Sequence, residues 1–464
     1  MLGCLTLPFI QGLALLASIL LGTMLHARES SKDKDKRKPC QVKDGTWLEC
    51  PEPSSSGVSS DYVFRPADKA KKSKSPLVLL AGGPGQSASE GFIPLPPMIQ
   101  DLSREYDLIF FNPRGTTGKS KLKCPSPETI DLKRITDRTY MADEAKSCLK
   151  SLGSRFNLSD FGTDASLADL DKIREELGYE KLSFYGVSYG TRLALRYAAL
   201  YPDRTDKMVL EGVLPPHAFI GQDTYALEPV LKRLSTRCSE ALPCAKAYGD
   251  VYESYQKLRS DFAKPRTLDA NHPRTGKKTA ITLDINMIDG MLLQLLYTEF
   301  DQTLIPAILH QASGGNLNPL IASSFSAVRS PFYEGLYFAI ACTEDAPFFD
   351  STKLDARTEE FLDICLSYPF KPSSAKIHDP VRGPWPTLLL SGELDPVTPP
   401  ELIKSLKTDL TNAKHFVIPN KGHNVFYLRC VGNQIKEFFL DKKSDRNCEE
   451  QKQPLPFYIE ETKR

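Results

Sequence analysis

The chain has 464 residues, of which 41% are hydrophobic, and carries a formal net charge of +1. That is ample for a large core and too long for one small domain, and it excludes the global field that would draw nucleic acid or an acidic polymer. The Lys-rich runs 32–38 and 69–74 sit among Ser, Asp and Pro, the texture of a solvated flexible face, with contact to a membrane surface as the alternative.

Leu5 to Leu21 is apolar and is followed by Gly22, Thr23 and the small residue Ala27. This is the pattern of an export signal over residues 1–27, cleaved near Ala27. An uncleaved membrane anchor is the alternative, because Lys and Arg are absent before the apolar run and Leu25 is large where a small residue is preferred. Membrane association follows only in that second case. Eleven cysteines occur, and loss of Cys4 with the signal leaves ten: Cys40, Cys50, Cys124, Cys148, Cys238, Cys244, Cys342, Cys365, Cys430 and Cys448. They fall into five sequence-local couples in that order, an even count suited to an oxidising compartment. None has zinc-site spacing or histidine company. A secreted or periplasmic location follows.

Residues 28–75 read as a polar segment with a short disulfide-tied strand region around Trp47. From Pro76 the texture changes. Leu77 to Leu80 is a buried-strand run ending in Gly82-Gly83-Pro84-Gly85, and Tyr106 to Phe111 is a second strand, closed by Pro113-Arg114-Gly115. Leu167 to Leu177 has helical spacing of its apolar residues. Leu182 to Tyr185 is a strand, Thr191 to Leu200 a helix, Met208 to Leu210 a strand, and residues 387–390 and 415–418 are two more. Short apolar strands alternating with helices predict an α/β fold with a mostly parallel sheet covered on both faces. Residues 217–378 break the rhythm, are helical in texture as at Met287 to Tyr297, and are expected to form an inserted cap over the carboxyl ends of the strands. The core is thus expected at 76–216 and 379–464.

Gly186-Val187-Ser188-Tyr189-Gly190 lies between a predicted strand and a predicted helix, the context of a nucleophile elbow. The turn is tight, so its flanks must be small. An ordinary Gly/Ser turn is the alternative. A serine hydroxyl is a weak nucleophile until a base takes its proton. Of the seven histidines, His423 in Lys421-Gly422-His423-Asn424 follows the last strand and has the right order and place; a surface-loop histidine is the competing reading. Asp395, at the turn closed by Pro396, would accept from the second imidazole nitrogen and fix the tautomer, with Glu393 as its rival. A tetrahedral oxyanion needs preorganised N–H donors. They are expected from Tyr189, which follows the nucleophile, and from Gly83 in the glycine loop.

Taken together, these motifs resemble the prolyl iminopeptidase and tripeptidyl aminopeptidase family of α/β-hydrolases. The likeness rests on the Gly-Gly-Pro-Gly loop, the string from Asp169 through Leu177-Gly178 to Thr191, Leu210 to Pro215, Asp395 to Pro399, and Gly422-His423. The cysteine positions match the exported branch. There are departures: Asn112-Pro113-Arg114-Gly115 begins with Asn where the family has Asp, and its loop is one residue longer; Ala81 stands where the prolyl branch has His. The resemblance implies the α/β-hydrolase fold and a serine exopeptidase that releases one or a few residues from peptide amino ends, with no metal or organic cofactor. It also implies acidic cap residues that bind the substrate's amino terminus, here Glu344 with Asp345 second; solvated carboxylates beside a disulfide are the alternative. Glu211 reads as structural. Two other functions stay open: an esterase on small acyl esters, and a catalytically idle binding protein.

Overall fold

The computed structural model describes residues 41–43, 47–50, 58–68, 75–125, 132, 136–223, 226–326, 332–442 and 454–460. These all fall in one unit beginning at Cys40. The expected signal or anchor, residues 1–27, lies outside the described residues.

The strands run in chain order as β1 (Gln41–Lys43), β2 (Trp47–Cys50), β3 (Asp61–Arg65), β4 (Leu77–Leu80), β5 (Leu108–Asn112), β6 (Leu182–Val187), β7 (Thr205–Glu211), β8 (Arg266–Asn271), β9 (Lys278–Leu283), β10 (Thr387–Gly392) and β11 (Ala413–Ile418). Nine form one sheet in the order β1-β2-β3-β5-β4-β6-β7-β10-β11. The pairings from β5 through β11 are parallel, and those of β1, β2 and β3 antiparallel. β4 and β5 are buried throughout. Continuous apolar runs are what a sheet covered on both faces demands.

Among the described residues the helices longer than ten residues are α1 (Arg138–Gly153), α2 (Thr163–Glu176), α3 (Tyr189–Leu200), α4 (Leu227–Glu240), α5 (Val251–Asp261), α6 (Ile285–Leu295), α7 (Glu334–Glu344), α8 (Ala356–Leu366) and α9 (Arg429–Phe439). α2 buries Leu167, Leu170, Ile173 and Arg174, the stripe its spacing foretold. α3 follows β6 directly, and Ala194, Leu195 and Ala198 on it are buried. α9 covers the other face, where Val431, Ile435 and Phe439 join Leu79, Tyr185 and Leu390.

Three features differ from expectation. First, β3 lies in the segment read as a polar linker. It pairs with β5, and Tyr62 and Val63 are buried; the flanking Asp61 and Arg65 masked its short apolar centre. Second, the insertion is not one cap. Residues between Leu227 and Ile321 share an apolar cluster apart from the main core, joined by Leu132, Leu394 and Phe457. Leu336, Ala339, Ile340 and Ala341 of α7 instead pack with Leu149, Leu152 and Phe161 of the main core. The cap also holds the β8–β9 hairpin, where Ile281 and Leu283 point inward and Ala280 and Thr282 outward. Third, residues 454–460, expected to belong to the core, lie on the cap: Phe457 joins the cap cluster, and Tyr458 N–H donates to Thr303 O at 3.1 Å.

Three disulfides join Cys124 to Cys148, Cys238 to Cys244 and Cys342 to Cys365. Cys430 is also disulfide-bonded. Cys40 and Cys448 lie outside the described residues.

Candidate active site

Ser188 sits at the turn between β6 and α3 with φ 56° and ψ −124°. A side-chain-bearing residue at positive φ costs on the order of 1–3 kcal/mol and persists only where the surroundings enforce it. Here they do. A Cβ on Gly186 would stand 2.6 Å from Gly190 O, and one on Gly190 2.3 Å from Leu80 O. Ser188 N–H donates to Glu211 O at 2.8 Å, which ties the elbow to the end of β7. Thr191 Oγ1 donates to Ser188 O at 2.6 Å and accepts from Leu214 N–H at 2.8 Å. The side chain is left half-buried, within reach of solvent.

The loop after β11 carries His423, 4% exposed. Its Nδ1 lies 2.8 Å from Asp395 Oδ2, and Asp395 is fully buried. Asp395 is fixed in turn: Val397 N–H and Thr398 N–H donate to Oδ1 at 2.8 and 2.9 Å, and Thr398 Oγ1 donates to Oδ2 at 2.7 Å. Burial alone would push the Asp395 carboxyl up, but the imidazole and the Thr398 donors outweigh it and hold it below its ordinary value. Burial likewise opposes a charged His423, yet the Asp395 carboxylate, with a smaller contribution from Glu211, raises it above 6.5. An imidazole oriented by a buried carboxylate is thus ready to take a proton. Glu393, the rival acid, instead accepts Asn420 N–H at 2.9 Å through Oε2.

The imidazole rests on Gly212, where a Cβ would stand 2.8 Å from His423 Cε1. Val187 pairs with Glu211 and Ser188 N–H bonds Glu211 O, so the serine turn lies against the end of β7, where Gly212 also meets the ring of His423. Among the described residues no hydrogen bond joins Ser188 Oγ to the ring. Such contacts are often long before substrate binds. Tyr297, from the insertion, meets the ring edge-on at 5.4 Å, and His423 N–H donates to Tyr297 O at 3.0 Å.

Tyr189 opens α3, so its N–H has no acceptor within the helix. Gly82 is the glycine that presses on the nucleophile, since a Cβ there would lie 3.0 Å from Ser188 Cβ. Gly83 has φ 107° and makes the turn itself. Gly85 O accepts Tyr333 N–H at 2.8 Å, clamping the loop to the start of α7. Gly82, Tyr297, Tyr333 and Thr398 were not foreseen as site residues. The Asp-x-x-Thr spacing at 395–398, an Asx-type turn signal, is the one cue that was available.

Glu344 and Asp345, the expected anchor for a substrate amino group, are 1% and 0% exposed. Glu344 Oε1 accepts Thr163 N–H at 2.5 Å and Oε2 accepts Thr163 Oγ1 at 2.6 Å. Asp345 is paired with the buried Arg192 guanidinium at 2.9 Å. A substrate ammonium would have to displace these partners. Burial raises Glu344 to about 7. The departure at Asn112 is also accounted for. Its amide donates to Asp61 and accepts Ser89 N–H, which bridges β3 to the segment after the glycine loop. Arg114 grips Asp169 with two hydrogen bonds of 2.7 and 2.8 Å.

The parallel sheet, the strained serine turn and the buried acid–histidine pair define an α/β-hydrolase. Residues 75–237 match the family model described as alpha/beta hydrolase fold, and residues 351–450 match the one described as TAP-like protein. The chain is 26% identical over 370 residues to the serine protease Hip1 of Mycobacterium tuberculosis, covering 70% of each chain. It is 29% identical over 159 residues to the tripeptidyl aminopeptidase of Streptomyces lividans, covering 30% of this chain and 28% of that one. It is also 27% identical over 189 residues to a Streptomyces coelicolor protein named "Probable proline iminopeptidase", covering 39% and 47%. This chain belongs to the prolyl iminopeptidase and tripeptidyl aminopeptidase family of α/β-hydrolases.

Proposed function

We propose that this hydrolase is a serine exopeptidase that removes one or a few residues from the free amino end of short peptides, in an oxidising compartment outside the cytoplasm. The observation that carries this reading is the Asp395–His423 pair, 2.8 Å apart, set at the strand end beside the Ser188 turn. His423 takes the Ser188 proton as Oγ attacks the scissile carbonyl. Asp395 stabilises the imidazolium. The N–H groups of Tyr189 and Gly83 receive the oxyanion. His423 then returns the proton to the leaving amine, and water activated by the same ring frees the acyl group from Ser188. The peptidase names of the relatives support peptides as substrates. The three disulfides and the apolar N-terminal run support export. The test is a panel of fluorogenic peptides with free or acetylated amino ends, together with simple acyl esters. Cleavage of free-amino peptides, lost on acetylation, is expected. Hydrolysis of esters with no amide cleavage would overturn the peptidase reading.

A further inference from the structure

Glu211 ends β7 and is fully buried, yet no step of the proposed mechanism uses it. Its Oε1 accepts two backbone donors from the loop just past the base, Val425 N–H at 2.6 Å and Phe426 N–H at 3.1 Å. Its Oε2 accepts the Tyr185 hydroxyl at 2.6 Å. Its own carbonyl holds Ser188 N–H at 2.8 Å, and the next residue, Gly212, supports the face of the His423 ring. One dipeptide therefore touches the nucleophile's backbone, the base's ring and the base's loop. An isolated buried carboxylate is costly, and an apolar or amide residue would fill this place at lower cost unless the charge were useful.

We propose that Glu211 is a positioning residue for His423: its carboxylate anchors the loop that carries the base and supplies a second negative charge to the imidazolium. This rests on the triad reading above. The charged and titratable groups around the ring are Asp395 from the loop after β10, Glu211 from β7 and Tyr297 from the cap; Lys421, two residues before it, is paired with Glu299 of the cap. Around Glu211 they are Tyr185, His423 and Tyr427. Burial pushes Glu211 up, while the three donors and His423 pull it back toward the ionised form.

Glu211→Gln separates charge from anchoring. The amide oxygen still accepts both backbone N–H groups, and the NH2 donates to the Tyr185 oxygen. With the charge gone, the imidazolium loses stabilisation, so His423 stays neutral to lower pH. The acid limb of kcat/KM should move down by about one pH unit, and the plateau should fall roughly tenfold. Tyr185→Phe removes one donor and weakens the anion, so the limb should move the same way by less. This second variant decides the matter if the first does not fold. A Glu211→Gln enzyme that melts like wild type with its acid limb unmoved, or a Tyr185→Phe limb that stays in place or moves upward, would refute the proposal. Fluorophosphonate labelling of Ser188→Ala keeps the two claims apart. Persistent labelling there removes the triad, whereas lost labelling with an unmoved Glu211→Gln limb removes only the role of Glu211.

Discussion

His423 and Glu344 are both buried ionisable groups, but their neighbours drive them to different ends. The Asp395 carboxylate raises His423, so the neutral base forms only above the ordinary imidazole range. The acid limb of kcat/KM is therefore expected above about pH 6.5, and Asp395→Asn should lower kcat by roughly four orders of magnitude through loss of the correct tautomer. A pH profile with its acid limb well below 6 in the wild type would contradict the pairing. The Glu344 oxygens accept from Thr163, and burial, only partly offset by these bonds and by Arg192, raises it from 4.5 to about 7. Its folded value lies above its unfolded one, so its contribution to stability is complete below the unfolded value and is lost as pH rises through about 7. Between pH 5 and 8 the wild type should lose roughly 2.5 kcal/mol from this source, and Glu344→Gln should flatten that slope. Melting both proteins across the window checks it. An identical slope in the two would refute the assignment, and a loss of activity confined to free-amino peptides would restore Glu344 as the amino-end anchor.

At the scale of elements, the sequence was most readable where chemistry constrains the backbone. Gly186 and Gly190 leave room for nothing larger, and the strand-turn-helix context around Ser188 could be read without coordinates. The order of Ser188, Asp395 and His423 was equally legible. The burial of Glu344 was not legible, because its place beside Cys342 says nothing about which way α7 turns that face, and its hydroxyl partner Thr163 lies 181 residues away. The β8–β9 hairpin was hidden by short alternation inside a helical stretch. The segment 454–460 carries Pro454 and Pro456 and no periodic pattern, so its docking depends wholly on distant partners. Leu455 N–H donates to Glu299 Oε1 at 2.9 Å, and Arg237 stacks over Phe457 at 4.2 Å. Since Glu299 also pairs with Lys421, two residues before His423, this segment braces the base's loop from the cap side. Phe457→Ala should lower the melting temperature by several degrees, as loss of a buried aromatic residue does, with a smaller fall in kcat/KM. Unchanged melting would show that the segment contributes no packing energy.

For the whole molecule, the sheet fixes what the site can do. Ser188 follows β6 and is tied to the end of β7 through Glu211 O, Asp395 follows β10 and His423 follows β11, so the carboxyl ends of four successive parallel strands, β6-β7-β10-β11, carry the proposed nucleophile, acid and base. Tyr297 and the Glu299–Lys421 pair bring the insertion against the loop that carries His423. The division of the insertion, with residues 227–321 in a cluster apart from the main core and α7 in that core, was invisible in the sequence because both parts are helical and apolar. The most direct test is to treat the purified protein with a fluorophosphonate and map the adduct by mass spectrometry. One stoichiometric adduct on Ser188 is expected, slowed by orders of magnitude in His423→Ala and absent in Ser188→Ala, with peptidase activity lost in step. An adduct on another residue, or peptide hydrolysis that survives Ser188→Ala, would contradict it.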